Sequence, residues 1–132
     1  MNSKLNTLRE SYPTLLTDTT EIRYDEGWDN IVEGMLAAIK IYEESNLADA
    51  KIVEPVVIQK LVSKFGGLDV EIEGGDDIVQ EIVIFSKALS YKTCEKCGKL
   101  GKLYCSTKWM KWSYKKVLCT AHAVELYYYS IE

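Results

Sequence analysis

The sequence predicts an α+β fold in two parts, an acidic domain over residues 1–92 and a smaller basic module over residues 93–132. Three observations carry this reading. Apolar residues recur at helical spacing in two segments, and between them lies a stretch that is β-branched and then strictly alternating. Four residues able to ligate a metal fall in two tight pairs near the C-terminus. With 132 residues and 47% apolar content, the chain can fill one compact core of about 90 residues and carry an appended module.

The elements follow in order. Tyr12-Pro13 marks an extended entry, because the residue before proline is pushed out of helical backbone space. Thr19 to Tyr24 alternates weakly and reads as a short strand. Trp28, Ile31, Val32, Met35, Leu36, Ile39 and Tyr42 then recur on one helical face, with Asp29, Glu33, Lys40 and Glu43 elsewhere. This is an amphipathic helix, with Asp25 as a candidate cap and Ser45-Asn46 as the stop. Pro55 to Val62 is rich in β-branched residues, Phe65-Gly66-Gly67 breaks the chain, and Leu68, Val70 and Ile72 alternate with Asp69, Glu71 and Glu73. The pattern is a β-hairpin whose second strand has one apolar and one acidic face. Gly74-Gly75 turns the chain again, and Asp77 with Gln80 resembles a capping box before Ile78, Val79, Ile82, Val83, Phe85 and Leu89. Two helices on a small antiparallel sheet is the economical packing of these pieces, with the apolar stripes as core.

The module begins with Cys94-Glu95-Lys96-Cys97-Gly98, in the form of a zinc knuckle: glycine after the second cysteine lets the chain turn while N–H groups point at the thiolates. After 21 intervening residues come Cys119 and His122, at i and i+3 of a helix-prone segment. The four residues Cys94, Cys97, Cys119 and His122 read as a tetrahedral site for one structural Zn²⁺. Knuckle, Lys102–Leu118 hairpin and ligand-bearing helix together resemble a treble-clef zinc finger. Cys105 is a fifth donor; a four-cysteine set using it in place of His122 is the alternative, at the cost of bending a strand residue inward. A redox role for the C-x-x-C pair lacks the strand-then-helix setting it requires.

Composition excludes several function classes. No apolar run approaches the roughly 18 residues needed to cross a bilayer, and the N-terminus lacks the apolar stretch of a secretory signal. A cytoplasmic setting with reduced thiols is therefore expected. The single histidine is taken by the metal, so no spare base remains for a nuclease of the HNH type, and four protein ligands leave a zinc no open catalytic position. The chain reads as non-enzymatic. The acidic cluster Glu71, Glu73, Asp76 and Asp77 lacks the ordered spacing of a calcium loop, and neither glycine pair fits a phosphate-binding motif.

Charge is divided unevenly. Residues 1–90 hold 8 Lys+Arg against 17 Asp+Glu, a balance of −9, whereas residues 91–132 hold 8 Lys against 3 Glu, a balance of +5. Opposite charges on adjoining parts need no outside ligand, and pairing within the chain is the simplest account. Lys108, Lys111, Lys115 and Lys116 interleave with Trp109, Trp112 and Tyr114, a combination that suits either phosphates and bases or a protein partner. Trp109 and Trp112 are an odd number of residues apart, so in an unbroken strand one of them faces solvent and implies a contact. An acidic chain with no arginine in the module favours a protein contact.

Several segments together carry a resemblance: Tyr12-Pro13, Gly27-Trp28, Lys64-Phe65-Gly66-Gly67-Leu68, Ser90 through Gly98, and Leu118 through His122. They resemble a family of small bacteriophage and prophage proteins of uncharacterised activity, with likeness through most of the chain. The family pattern continues the K-F-G-G-L motif with arginine and an aromatic residue, where this chain has Asp69-Val70. The resemblance implies a phage setting, in the bacterial host cytoplasm, and a zinc site. Small phage proteins without catalytic machinery act by binding. The expectation is a zinc protein that binds and inhibits or modulates a host protein, with a defence nuclease as the candidate target. The acidic face of Asp69, Glu71, Glu73, Asp76 and Asp77 would mimic phosphates on one side, with Glu71 and Glu73 as contacts, and Trp109, Trp112, Lys108, Lys111 and Lys115 would anchor on the other. The alternative expectation is a nucleic-acid-binding zinc protein of phage replication or transcription control.

Overall fold

The structure is a computed structural model that describes residues 3–48, 54–107 and 114–130. It is a mixed α+β arrangement of two small sheets with four α-helices. The first helix, α1 (Ser3–Ser11), was not expected from the sequence, whose apolar residues there are too sparse to set a period. It is held by Leu8, buried in the core, and by Arg9, whose guanidinium donates to the carbonyls of Thr17 (2.6 Å) and Thr20 (3.0 Å).

Strands β1 (Leu16–Arg23), β2 (Val57–Lys64) and β3 (Gly67–Glu73) form a sheet in the order β1-β2-β3. The sheet departs from the antiparallel expectation, because β1 and β2 run parallel and only β2 and β3 are antiparallel. The reason is α2 (Asp29–Ala48): its 20 residues carry the chain back by about 30 Å at 1.5 Å per residue, so that β2 re-enters in the direction of β1. The β2–β3 turn consists of Phe65 and Gly66, with φ of 53° and 88°. Both residues are left-handed, as a two-residue hairpin turn of the primed type requires.

Helix α2 buries Val32, Met35, Leu36 and Ile39, the stripe anticipated from the periodicity, and runs past Ser45-Asn46 to Ala48. Helix α3 (Asp77–Ser90) buries Val79 and Val83 against it. Its cap is Asp76, one residue before the expected Asp77: Gly74 and Gly75, both with φ above 80°, set the chain so that Asp76 accepts from the N–H of Ile78 (3.1 Å) and Val79 (3.2 Å). The same carboxylate accepts the Tyr42 hydroxyl of α2, which holds it below the ordinary carboxylate range and ties the two helices together. These faces close on the sheet around Trp28, Ile58, Leu61 and Leu68, none of which is exposed.

The remainder is a knuckle, then β4 (Lys102–Cys105), β5 (Lys115–Leu118), α4 (Thr120–Glu125) and β6 (Tyr129–Ser130). The second sheet has the order β5-β4-β6 with antiparallel pairs, and Tyr104, Leu118 and Ala123 pack with Cys94 beneath it. Among the described residues, no helix is long and apolar enough to cross a membrane.

Candidate metal centre

Cys94 and Cys97 meet through a tight turn. The N–H of Gly98 donates to the Cys94 carbonyl (2.8 Å), and Gly98 sits at φ 82°, where a side chain would be strained. Cys119 caps α4 from extended backbone, which places its sulfur beside the first helical turn and His122 one turn on. The strand pair β4–β5 carries the second ligand pair back to the knuckle: Lys102 lies opposite Leu118, and the N–H of Glu95 donates to the Val117 carbonyl (2.8 Å).

The four donor atoms of Cys94, Cys97, Cys119 and His122 all lie within 4.8 Å of one another. Sulfur-to-sulfur separation is 3.7 Å for Cys97–Cys119, and His122 Nδ1 lies 3.7 Å from Cys94 Sγ and 3.2 Å from Cys119 Sγ. A tetrahedral ion with metal–sulfur bonds of about 2.3 Å and metal–nitrogen bonds of about 2.0 Å requires edges of about 3.7 Å between sulfurs and about 3.5 Å from sulfur to nitrogen. The donor set therefore fits one tetrahedral metal ion. His122 Nε2 points the other way, 3.9 Å from the exposed Glu125 carboxylate. Cys105 stays outside the group, its thiol donating to the Thr107 carbonyl (3.1 Å).

The thiols are unequal. The backbone N–H of His122 is the main influence on Cys119, which is pulled down to about 6. At Cys97 the Lys99 N–H pulls downward, but burial and hydrogen bonding with the Cys94 and Cys119 thiols outweigh it and raise the group above its ordinary value.

The knuckle is also locked to β2 and to the turn that precedes α2 by contacts that the sequence did not reveal. Glu95, inside the C-x-x-C turn, is 1% exposed. Its carboxylate accepts the Ser63 hydroxyl (2.9 Å) and the Asp25 N–H (3.2 Å), and Lys116 Nζ lies 3.8 Å away. The Gly27 N–H donates to the Glu95 carbonyl (2.7 Å), and the Trp28 indole donates to the Thr93 carbonyl (2.9 Å). A Cβ on Gly27 would run into the carbonyls of Cys94 and Glu95, so only glycine permits this approach. Asp25, expected as a helix cap, makes no side-chain cap bond; it pairs with Lys96 (3.1 Å) and Lys116 (3.3 Å). Burial alone would raise its carboxyl, but the Lys96 hydrogen bond and the charges of Lys116 and Lys96 outweigh burial and lower it. Part of the charge division is thus satisfied internally. One signal for Glu95 was legible: it is a lone acid in an otherwise lysine-rich stretch.

The expected partner residues are dispersed. Glu71 and Glu73 are exposed on β3, an edge strand, and Lys115 lies on β5, lining a cleft of about 550 Å³. Trp109, Trp112, Lys108 and Lys111 lie outside the described residues. No protein-family model, curated protein or solved structure matches this chain.

Proposed function

We propose that this chain is a non-enzymatic phage protein in which one structural Zn²⁺ staples a treble-clef-like module to an acidic domain, and that it works by binding a host protein in the host cytoplasm. The observation that carries this reading is the donor set: four protein ligands lie within 4.8 Å of one another, three of their separations near tetrahedral edge lengths, and four such ligands leave a zinc no position for water or substrate. A metal bound this way orders the chain and performs no hydrolysis. The chain's single histidine is one of the four, which removes the commonest general base.

Binding then falls to the surface. The exposed carboxylates of Glu71 and Glu73 alternate along an edge strand, a spacing suited to basic groups that otherwise track phosphates. A host nuclease held off by such mimicry is the partner this reading favours. The test is affinity capture with the tagged zinc-loaded chain, followed by kinetics on the stoichiometric partner. Charge reversal at Glu71 and Glu73 is expected to slow association and to weaken its dependence on salt, with dissociation little changed. Wild-type association kinetics in that variant would refute the acidic strand as the interface.

A further inference from the structure

The hairpin tip, Phe65-Gly66, breaks two local rules at once. Phe65 sits at φ 53°, a left-handed conformation in which asparagine or glycine is the comfortable residue and a bulky side chain is disfavoured. Its ring is also 77% exposed, so the residue gains little from core burial. Neither the turn nor the core calls for phenylalanine here. Lys64 Nζ lies 5.7 Å from the ring's centroid, so the tip presents an exposed aromatic face together with a cation.

What lies beside the ring gives that face a chemistry. Gly66 rests against Leu103 and Lys115 of the zinc module, so the hairpin tip and β5 form the two lips of a cleft of about 550 Å³. The size suits a small organic ligand. Aromatic residues line it, among them Tyr24, Phe65 at the hairpin tip and the 80% exposed Tyr114 beside β5. The cleft's two carboxylates are already engaged: Asp25 pairs with Lys96 and Lys116, and Glu95 is buried among Ser63, Lys116 and the Asp25 N–H. Among the described residues, no carboxylate lies within ion-pair distance of Lys64 or Lys115. The cleft therefore presents unneutralised ammonium groups beside rings, the combination that takes a phosphate and stacks a base. An acidic peptide would use the lysines and leave the rings without purpose.

We propose that the cleft between the β2–β3 turn and β5 binds a nucleoside phosphate, free or as a unit of single-stranded nucleic acid. The base stacks against Phe65 and Tyr114, and the phosphate pairs with Lys64 and Lys115. The site is separate from the metal cluster and from the acidic β3 surface, so it stands or falls independently of the host-protein reading.

The zinc-loaded full chain is titrated calorimetrically with ATP, a short oligothymidylate, inorganic triphosphate, adenosine and an oligoglutamate peptide. ATP or the oligothymidylate is expected to bind at least about tenfold more tightly than triphosphate, adenosine or oligoglutamate, since stacking adds about 1–3 kcal/mol per base. Whichever of the two binds more tightly names the source of the nucleotide. Phe65→Asn supplies a residue suited to the left-handed turn, so its thermal midpoint should equal or exceed that of the wild type while affinity falls by about tenfold. Lys64→Gln and Lys115→Gln should each flatten the salt dependence of oligothymidylate binding by about 0.7 in log–log slope. The proposal is overturned if neither nucleotide probe binds below about 1 mM, or if Phe65→Asn binds them unchanged. It is equally overturned if oligoglutamate binds as well as they do, which would make the cleft a docking place for acidic peptides.

Discussion

Gly27→Ala tests whether the knuckle and the sheet are one structural unit. The added methyl would overlap the backbone carbonyls of Cys94 and Glu95, and backbone cannot rotate aside as the end of a side chain can. The turn before α2 and the knuckle must separate, which lengthens the Gly27 N–H to Glu95 carbonyl bond, now 2.7 Å. Overpacking of this kind costs about 1–3 kcal/mol and the lost hydrogen bond about 0.5–1.5 kcal/mol, so a loss of roughly 2–4 kcal/mol is expected. For a chain of this length each kcal/mol lowers the midpoint by roughly 3–4 °C, giving a fall of about 7–14 °C. The knuckle supplies two of the four metal donors, so zinc affinity should fall with stability. Thermal unfolding followed by circular dichroism, with zinc buffered and then chelated, reads both effects. Gly34→Ala is the control: among the described residues, nothing beyond its own chain neighbours and helix backbone lies within 4 Å of its added methyl, and inside α2 the exchange should stabilise by about 0.5–1 kcal/mol. If Gly27→Ala melts within a degree or so of the wild type, the knuckle does not depend on this docking and the reasoning fails.

Two further outcomes follow from the same geometry. Elemental analysis should find one zinc per chain, lost in Cys97→Ser and Cys119→Ser and kept in Cys105→Ser, whose thiol is occupied with the Thr107 carbonyl; full occupancy in Cys119→Ser would refute the ligand set. Because the folded Asp25 carboxyl lies below its ordinary value of 3.8, its pairing with Lys96 and Lys116 contributes stability that is present above that value and lost as pH falls through the lowered one. Denaturant midpoints measured from neutral pH to about pH 3 should therefore decline less steeply in Asp25→Asn than in the wild type, and parallel curves would show that the pairing has no weight in folding.

Whatever depends on neighbours along the chain was legible before folding. The α2 and α3 stripes, the turn at Phe65-Gly66 and the quartet Cys94, Cys97, Cys119 and His122 follow from periodicity, turn chemistry and ligand spacing, which act over a few residues. Asp76 shows the limit of that reach: the cap type was legible, but its position shifted by one residue because two successive glycines set the approach. The remainder depended on contacts between distant segments. β1 pairs parallel with β2 because a whole helix separates them, and α1, weakly patterned on its own, is fixed by Leu8 and Arg9. Asp25 leaves the cap role for lysines about 70 and 90 positions away, and Glu95 exchanges solvent for Ser63 and the Asp25 N–H. Such choices turn on which distant groups arrive to offset desolvation. A buried carboxylate and an exposed one look the same in a sequence until the fold brings their partners to them.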